Sequence, residues 1–328
     1  MLERTPLSRP RHPSGSVCRL LAPTALLFLA LGAAGCSIRS MAVNAMADSM
    51  SRSSVVYARD DDPQLVEDAM PVLLKTVEGL LEEQPEHAGL LLTACQGFTS
   101  YAQAFVAVPA DAVEEEDLDA ARRMRERAAR LFLRARGYGL RSLELAHPGI
   151  GDSLAVSPER ALAVTKAEDL PVLYWLGTAW AGAINVAKSN MELMADLSVA
   201  NALLQRADVL DPDWNEGAVH EVLISLEAAL SGGYGGSIEA ARKHFQRALE
   251  LSDGKRLGPF VSLAEAVCVK EQNVGEFQSL LHRALEIDLD AAPDDRLANT
   301  LSRRRAGWLL DHTEDYFIDY EPEKEGEQ

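Results

Sequence analysis

Tyr174, Trp175 and Trp180 form the densest aromatic group in a chain that is 6% aromatic. An apolar surface of this kind, joined by a few polar groups such as Asn185, suits a cavity that holds a small ligand. Core filling between two helical hairpins is the favoured reading of the same residues. A second candidate is Gly232-Gly233-Tyr234-Gly235-Gly236, whose glycines would let backbone amides approach a phosphate. It lacks the Lys-Ser/Thr of a phosphate loop and any preceding strand. It reads as a turn between helices, with Tyr234 covering the turn or meeting a partner. Ser, His and Asp occur without a Gly-x-Ser-x-Gly elbow or a zinc-binding His-Glu-x-x-His pair. The acidic runs Asp60 to Asp62 and Glu114 to Asp117 suit helix N-termini and solvation. Paired catalytic carboxylates need burial and separated pKa values instead. The seven His are scattered, and no His or Cys pair has ligand spacing. No catalytic residue, metal ligand or cofactor is assigned, and an enzyme is not expected.

Cys36 is a thiol in a context that suits acyl chemistry. Arg4, Arg9, Arg11 and Arg19 precede an apolar run, Leu20 to Leu31, that closes on Gly32-Ala33-Ala34-Gly35-Cys36. A basic start, a short apolar core and small residues make a secretory signal peptide, too short to remain as a spanning helix. The small residues before Cys36 resemble the lipobox of bacterial lipoproteins, with Ala33 where Leu is commoner. In that motif the cysteine is diacylated, cleaved on its N-terminal side and acylated again, with chains such as palmitate. Each chain contributes about 0.8 kcal/mol per buried methylene, so two or three hold a domain on a membrane. Ordinary signal cleavage, with Cys36 an incidental thiol, is the competing reading. Ser37 lacks the Asp that retains lipoproteins in the inner membrane of enteric-type bacteria. Outer-membrane anchoring facing the periplasm is therefore expected.

Removing residues 1–35 takes away four Arg and one Glu, which moves the formal charge from −18 to −21. A surface of that sign repels phosphate backbones, so nucleic acid is excluded as a partner. Cys18 leaves with the signal, and Cys95 and Cys268 sit in apolar helical stretches where free buried thiols are expected.

From about Met41 to Leu310 apolar residues recur at spacings of three and four, which predicts an all-α domain. The pattern places helices at about 63 to 84 and His87 to Val108, and a third that Pro109 and the acidic run Glu114 to Asp117 open and Ala120 to Leu145 continues, with Gly137 and Gly139 as candidate kinks. His147 to Leu154 reads as a loop, and Ser157-Pro158-Glu159 as the start of a short helix. Hairpins follow: Leu170 to Lys188 with Met191 to Leu210, Asn215 to Ala229 with Ser237 to Leu251, and Leu257 to Lys270 with Val274 to Ile287. A final helix covers Asp294 to Leu310.

Three helix ends look alike: Leu204-Gln205-Arg206-Ala207-Asp208-Val209-Leu210, Phe245-Gln246-Arg247-Ala248-Leu249-Glu250-Leu251 and Leu281-His282-Arg283-Ala284-Leu285-Glu286-Ile287. Leu210, Leu251 and Ile287 fall 41 and 36 residues apart, periods that bracket the 34-residue tetratricopeptide repeat. Ala lets two helices approach while the large apolar residue fills the groove beside it. Antiparallel hairpins stacked as degenerate tetratricopeptide-like repeats are expected.

Several segments in order carry a resemblance. They are the lipobox start, Leu173-Tyr174-Trp175-Leu176-Gly177-Thr178-Ala179-Trp180, Leu210-Asp211-Pro212-Asp213-Trp214 and Gly217-Ala218-Val219-His220. Next come Gly232 to Ser237, Ala241-Arg242-Lys243-His244-Phe245, Phe277 to Leu281, Arg296-Leu297-Ala298-Asn299 and Arg304 to Leu310. On these the chain resembles the TatT, or T-component, family associated with tripartite ATP-independent periplasmic (TRAP) transporters. The resemblance implies a bundle of tetratricopeptide-like helices, a homotrimer with a ligand-accessible pore in each protomer, and pairing with the transporter's periplasmic solute-binding protein.

The organisation expected is a lipoprotein signal peptide at 1–35, a lipid-anchored segment at 36–62, the helical domain at 63–311 and an acidic tail at 312–328. The resemblance implies an accessory transport lipoprotein in the cell envelope, and the residue types themselves offer Tyr174, Trp180, Asn185 and Tyr234 as candidate ligand or partner surface. A pure tetratricopeptide scaffold that organises protein complexes at the outer membrane is the competing function. Replacing Cys36 by Ala is expected to release the protein from membranes or block its maturation, as read by fractionation and mass spectrometry. An unaltered membrane-bound mature form would defeat lipidation.

Overall fold

Asp62 starts the first long helix: its carboxylate accepts from the amides of Gln64 and Leu65, and Pro63 sits where a missing N–H costs nothing. The computed structural model describes residues 54–233, 235–318 and 320, together with Ala45 and Ser49. The segment 1–35 expected as a signal peptide, Cys36, Tyr234 and the acidic end at 321–328 lie outside the described residues. The helices from Ser54 onward belong to one unit, Ala47–Gln328.

That unit is all-α, with no strand among the described residues. Its first half comprises α1 (Ser54–Ala58), α2 (Pro63–Glu83), α3 (Ala88–Ala102), α4 (Pro109–Glu114), α5 (Leu118–Ala146), α6 (Ile150–Val156), α7 (Pro158–Leu162), α8 (Leu170–Val186), α9 (Met191–Ala195) and α10 (Leu197–Leu210). The second half comprises α11 (Ala218–Leu230), α12 (Ile238–Leu251), α13 (Gly258–Leu263), α14 (Val269–Glu271), α15 (Val274–Glu286), α16 (Arg296–Asp311) and α17 (Thr313–Tyr316). Successive helices pack as hairpins: α3 on α5, α5 on α8, α8 on α10, α11 on α12 and α15 on α16. Helix α16 also returns to the beginning of the unit. Leu297 and Leu301 pack against the core around α2 and α3, and Arg59 pairs with Asp294 at 2.5 Å.

Three apolar clusters underlie the stack. The first joins α2, α3 and α5 through Val77, Leu90, Leu91, Phe98 and Phe132. The second surrounds α8 and α10 through Leu173, Leu176, Leu203 and Leu204. The third fills the C-terminal hairpins with Phe245, Phe260, Phe277 and Leu281. Close approach of α8 to its neighbours depends on glycine. A Cβ at Gly177 would lie 2.8 Å from Leu204 Cγ, and one at Gly182 would lie 2.6 Å from the Phe132 ring.

Gly139 does not interrupt α5; it lets Cys95 and Leu176 approach to about 3 Å of where its Cβ would stand. The stretch predicted as a loop after His147 carries α6, because Gly149 at φ 84° turns the chain and Leu154 is buried at 1% exposure. The helix expected from Asn215 begins instead at Ala218. Asn215, Glu216 and Gly217 are all left-handed, at φ 47°, 54° and 87°. Arg256 holds this turn by donating to the Asn215 carbonyl at 3.0 Å. Two predicted helices also carry π-turns, Gln103–Ala107 after α3 and Ala264–Cys268 after α13. Apolar periodicity does not register one extra residue per turn.

Gly182→Ala is expected to destabilise by about 1–3 kcal/mol through overpacking against Phe132. Gly79, in α2, has no neighbour near its absent Cβ. Gly79→Ala should therefore stabilise by roughly 0.5–1 kcal/mol, because alanine loses less backbone entropy in a helix. Urea unfolding of the two variants checks both magnitude and opposite sign.

Candidate functional site

Both π-turns border one cavity of about 1110 Å³. π-turns inside helices are frequent at functional sites because they re-aim side chains without ending the helix. Gln103 and Ala107 come from the first turn, and Glu265 and Ala266 from the second. Small residues make the space. Ala107, Val108, Ala228, Ala229 and Ala266 line it together with Ser189, Ser225 and Ser262. Its volume lies slightly above the roughly 300–1,000 Å³ typical of small-ligand sites.

Charged side chains cross one side of the cavity in alternating sign. Arg305 donates through Nε to Glu265 at 3.0 Å and through Nη2 to Asp111 at 2.7 Å. The other oxygen of Asp111 accepts from Arg125 at 2.8 Å, and Arg125 continues to Glu114. The Asp111–Arg305 bond joins residues 194 positions apart. Arg305 also lies over Trp308, 4.5 Å from the ring centroid, and His312 stacks on Trp308 at 4.3 Å. From there His312 Nε2 reaches Glu115 at 2.9 Å. The hydrogen bond to the Trp308 carbonyl, aided by Glu115, raises the His312 pKa. Burial raises the carboxyl of Glu265 against the opposing pull of Arg305. Burial likewise pushes the Tyr316 hydroxyl up to about 12.

The far side differs. Lys270 donates to the Ala228 carbonyl at 2.9 Å and to Ser231 Oγ at 2.6 Å, which caps the last turn of α11. Asn185 and Lys188 line the cavity at the end of α8. The arrangement offers small apolar surface, hydroxyls and mixed charge, which is binding chemistry. Among the described residues no group of three or more His, Cys, Asp or Glu could hold a metal ion. Cys95 and Cys268 are free and buried, each pushed up to about 12 chiefly by burial.

Of the sequence candidates, Asn185 lines the cavity. Tyr174 and Trp180 are not among its lining residues; they are 9% and 7% exposed and belong to the core around α8. Tyr174 packs edge-on against Trp175 at 4.9 Å and tilted against Trp214 at 4.9 Å. Trp180 donates to Asp196 at 3.1 Å beneath Arg136. Tyr234 and Cys36 lie outside the described residues. Sequence reasoning missed Asp111, Arg125, Glu265, Lys270, Arg305 and Trp308. Glu114 and Glu115, taken as helix-start charge, turn to Arg125 and His312 instead.

The TRAP transporter T-component family model matches residues 59–317. This chain belongs to that family. An uncharacterized protein of Treponema pallidum (strain Nichols) is 31% identical over 327 residues, covering 94% of this chain and all of the relative. The match encloses every described residue of the cavity wall.

Trp180→Ala is expected to destabilise by roughly 3–5 kcal/mol, the usual cost of truncating a buried Trp. Asn185 is exposed on the cavity surface. Asn185→Ala should leave stability within about 0.5 kcal/mol of the parent. Thermal and urea unfolding separate the two roles.

Proposed function

We propose that this chain is an accessory, periplasm-facing subunit of a TRAP transporter that docks the solute-binding protein and holds or passes a small, partly apolar ligand in the cavity beside the two π-turns. The observation that carries this reading is the cavity, built from both π-turns in a chain of the T-component family. A ligand there would meet alanine and valine surface along its body and hydroxyl or charged groups at its ends. Attachment belongs to the same reading. No helix among the described residues is long and apolar enough to cross a membrane, and lipid on Cys36 would supply an outer-membrane anchor. The homotrimer implied by the sequence resemblance would present several such cavities to the periplasm. A tetratricopeptide scaffold needs no internal space, so the cavity favours transport over that alternative.

Affinity capture of the lipidated protein from its native membranes tests partner and ligand together. A solute-binding subunit should co-purify, and native mass spectrometry of the captured protein should report small-molecule occupancy. Ala229→Trp places a bulky side chain in the cavity from an exposed position. It should lower that occupancy severalfold while helicity and melting temperature stay unchanged. Repeated capture of assembly factors without any solute-binding subunit would move the function to the scaffold.

A further inference from the structure

Two of the segments singled out in the sequence, Gly217 to His220 and Ala241 to Phe245, meet in space. His220 Nδ1 lies 2.9 Å from His244 Nδ1, and the rings stack at 5.1 Å. Asp208, near the end of α10, places Oδ1 3.4 Å from His220 Nδ1. His220 is 4% exposed, and both its Nε2 and Asp208 Oδ1 are buried without a hydrogen-bond partner. The left-handed turn Asn215–Gly217 sets this contact, because a Cβ at Gly217 would stand 3.1 Å from Ala248 Cα and the start of α11 is pressed against α12.

Two facing imidazole nitrogens share one proton. One ring donates and the other accepts; when both are protonated, both Nδ1 atoms are donors and a 2.9 Å contact becomes repulsive. Asp208 favours the first proton and is the charged group that reaches the pair. Other charges on the surrounding helices are committed elsewhere. Arg206 of α10 donates to Thr165. On α11 Glu221 faces Arg256, and Glu227 accepts from Gln205 and the Ser237 amide. On α12 Arg242 pairs with Glu271 and Glu276, Lys243 with Glu239, and Arg247 with Asp213 and Glu250. Helix α13, Gly258–Leu263, carries no titratable side chain. Farther along α11, Ser225, Ala228 and Ala229 form part of the cavity wall.

We propose that the His220–His244 contact is a proton-released latch on α11, closed while at most one of the two rings is cationic and opened when both are, so that acid loosens one wall of the cavity. Burial first, then the charge of His220, lowers the His244 pKa, with Asp208 opposing. A lowered histidine contributes stability that is present above its ordinary value near 6.5 and is lost as pH falls through the lowered folded value. This latch is independent of what the cavity binds, so it stands or falls apart from the transport reading.

Hydrogen exchange of α11 and α12 amides, corrected for intrinsic rates, tests it on the mature protein. Between about pH 7.5 and pH 5 protection should drop in a step approaching about tenfold per pH unit, the limit for one proton. His244→Gln should abolish that step with helicity retained, and Asp208→Asn should move its midpoint to lower pH. Ser225→Cys labelled with an environment-sensitive fluorophore should report the same step, since Cys95 and Cys268 are buried and unreactive. A step that persists in His244→Gln, or a midpoint unmoved in Asp208→Asn, overturns the latch. Exchange that steps without a change in the label overturns its reach to the cavity wall.

Discussion

Arg305 is the interaction on which the cavity depends. Its side chain is 12% exposed and is held between Asp111, from the first half of the unit, and Glu265, from a π-turn in the second. Burying one guanidinium between two carboxylates is tolerable because its Nε and Nη2 both donate to them and Trp308 covers its face. Without it, two carboxylates would face each other across a partly desolvated space. The cavity therefore has a wall in which three carboxylates, Glu265, Asp111 and Glu114, alternate with two guanidinium groups, so none of these ions stands isolated.

The rest of the fold serves to bring those distant residues to one place. Glycine at 139, 177 and 182 lets α5, α8 and α10 approach until side chains interlock. That close layer leaves the ends of α8 and α11 facing the π-turns, where alanine and serine cannot fill the gap. Asn299 fastens the last long helix: it accepts from the Leu257 amide and donates to the Lys255 carbonyl, both at 3.0 Å, and is 1% exposed. Packing density elsewhere and emptiness here have the same origin in side-chain size.

The aromatic group around Tyr174 illustrates the limit of reasoning from composition. Both roles written for it in sequence, core and ligand wall, call for large apolar rings on a helix. Burial separates them, and Tyr174 and Trp180 lie in the core with Asp196 satisfying the indole N–H. Asn185 is one turn beyond Trp180 and yet lines the cavity, because it lies where α8 runs out past its packed neighbours.

The sequence by itself determined the helical class, the order of the hairpins, helix starts beside the acidic residues Asp62 and Asp117, and the family, since local periodicity, end charge and ordered segments are short-range properties. Only the tertiary structure decided where the space lies and which charges border it. Asp111 and Arg305 are 194 residues apart, and His220 and His244 sit on separate helices. Pairing at such separations leaves no periodic trace, and a π-turn shifts register by a single residue within an otherwise ordinary helical pattern. The physical reason is that helix formation is governed by neighbours three and four positions away, whereas a cavity is governed by which helices fail to touch.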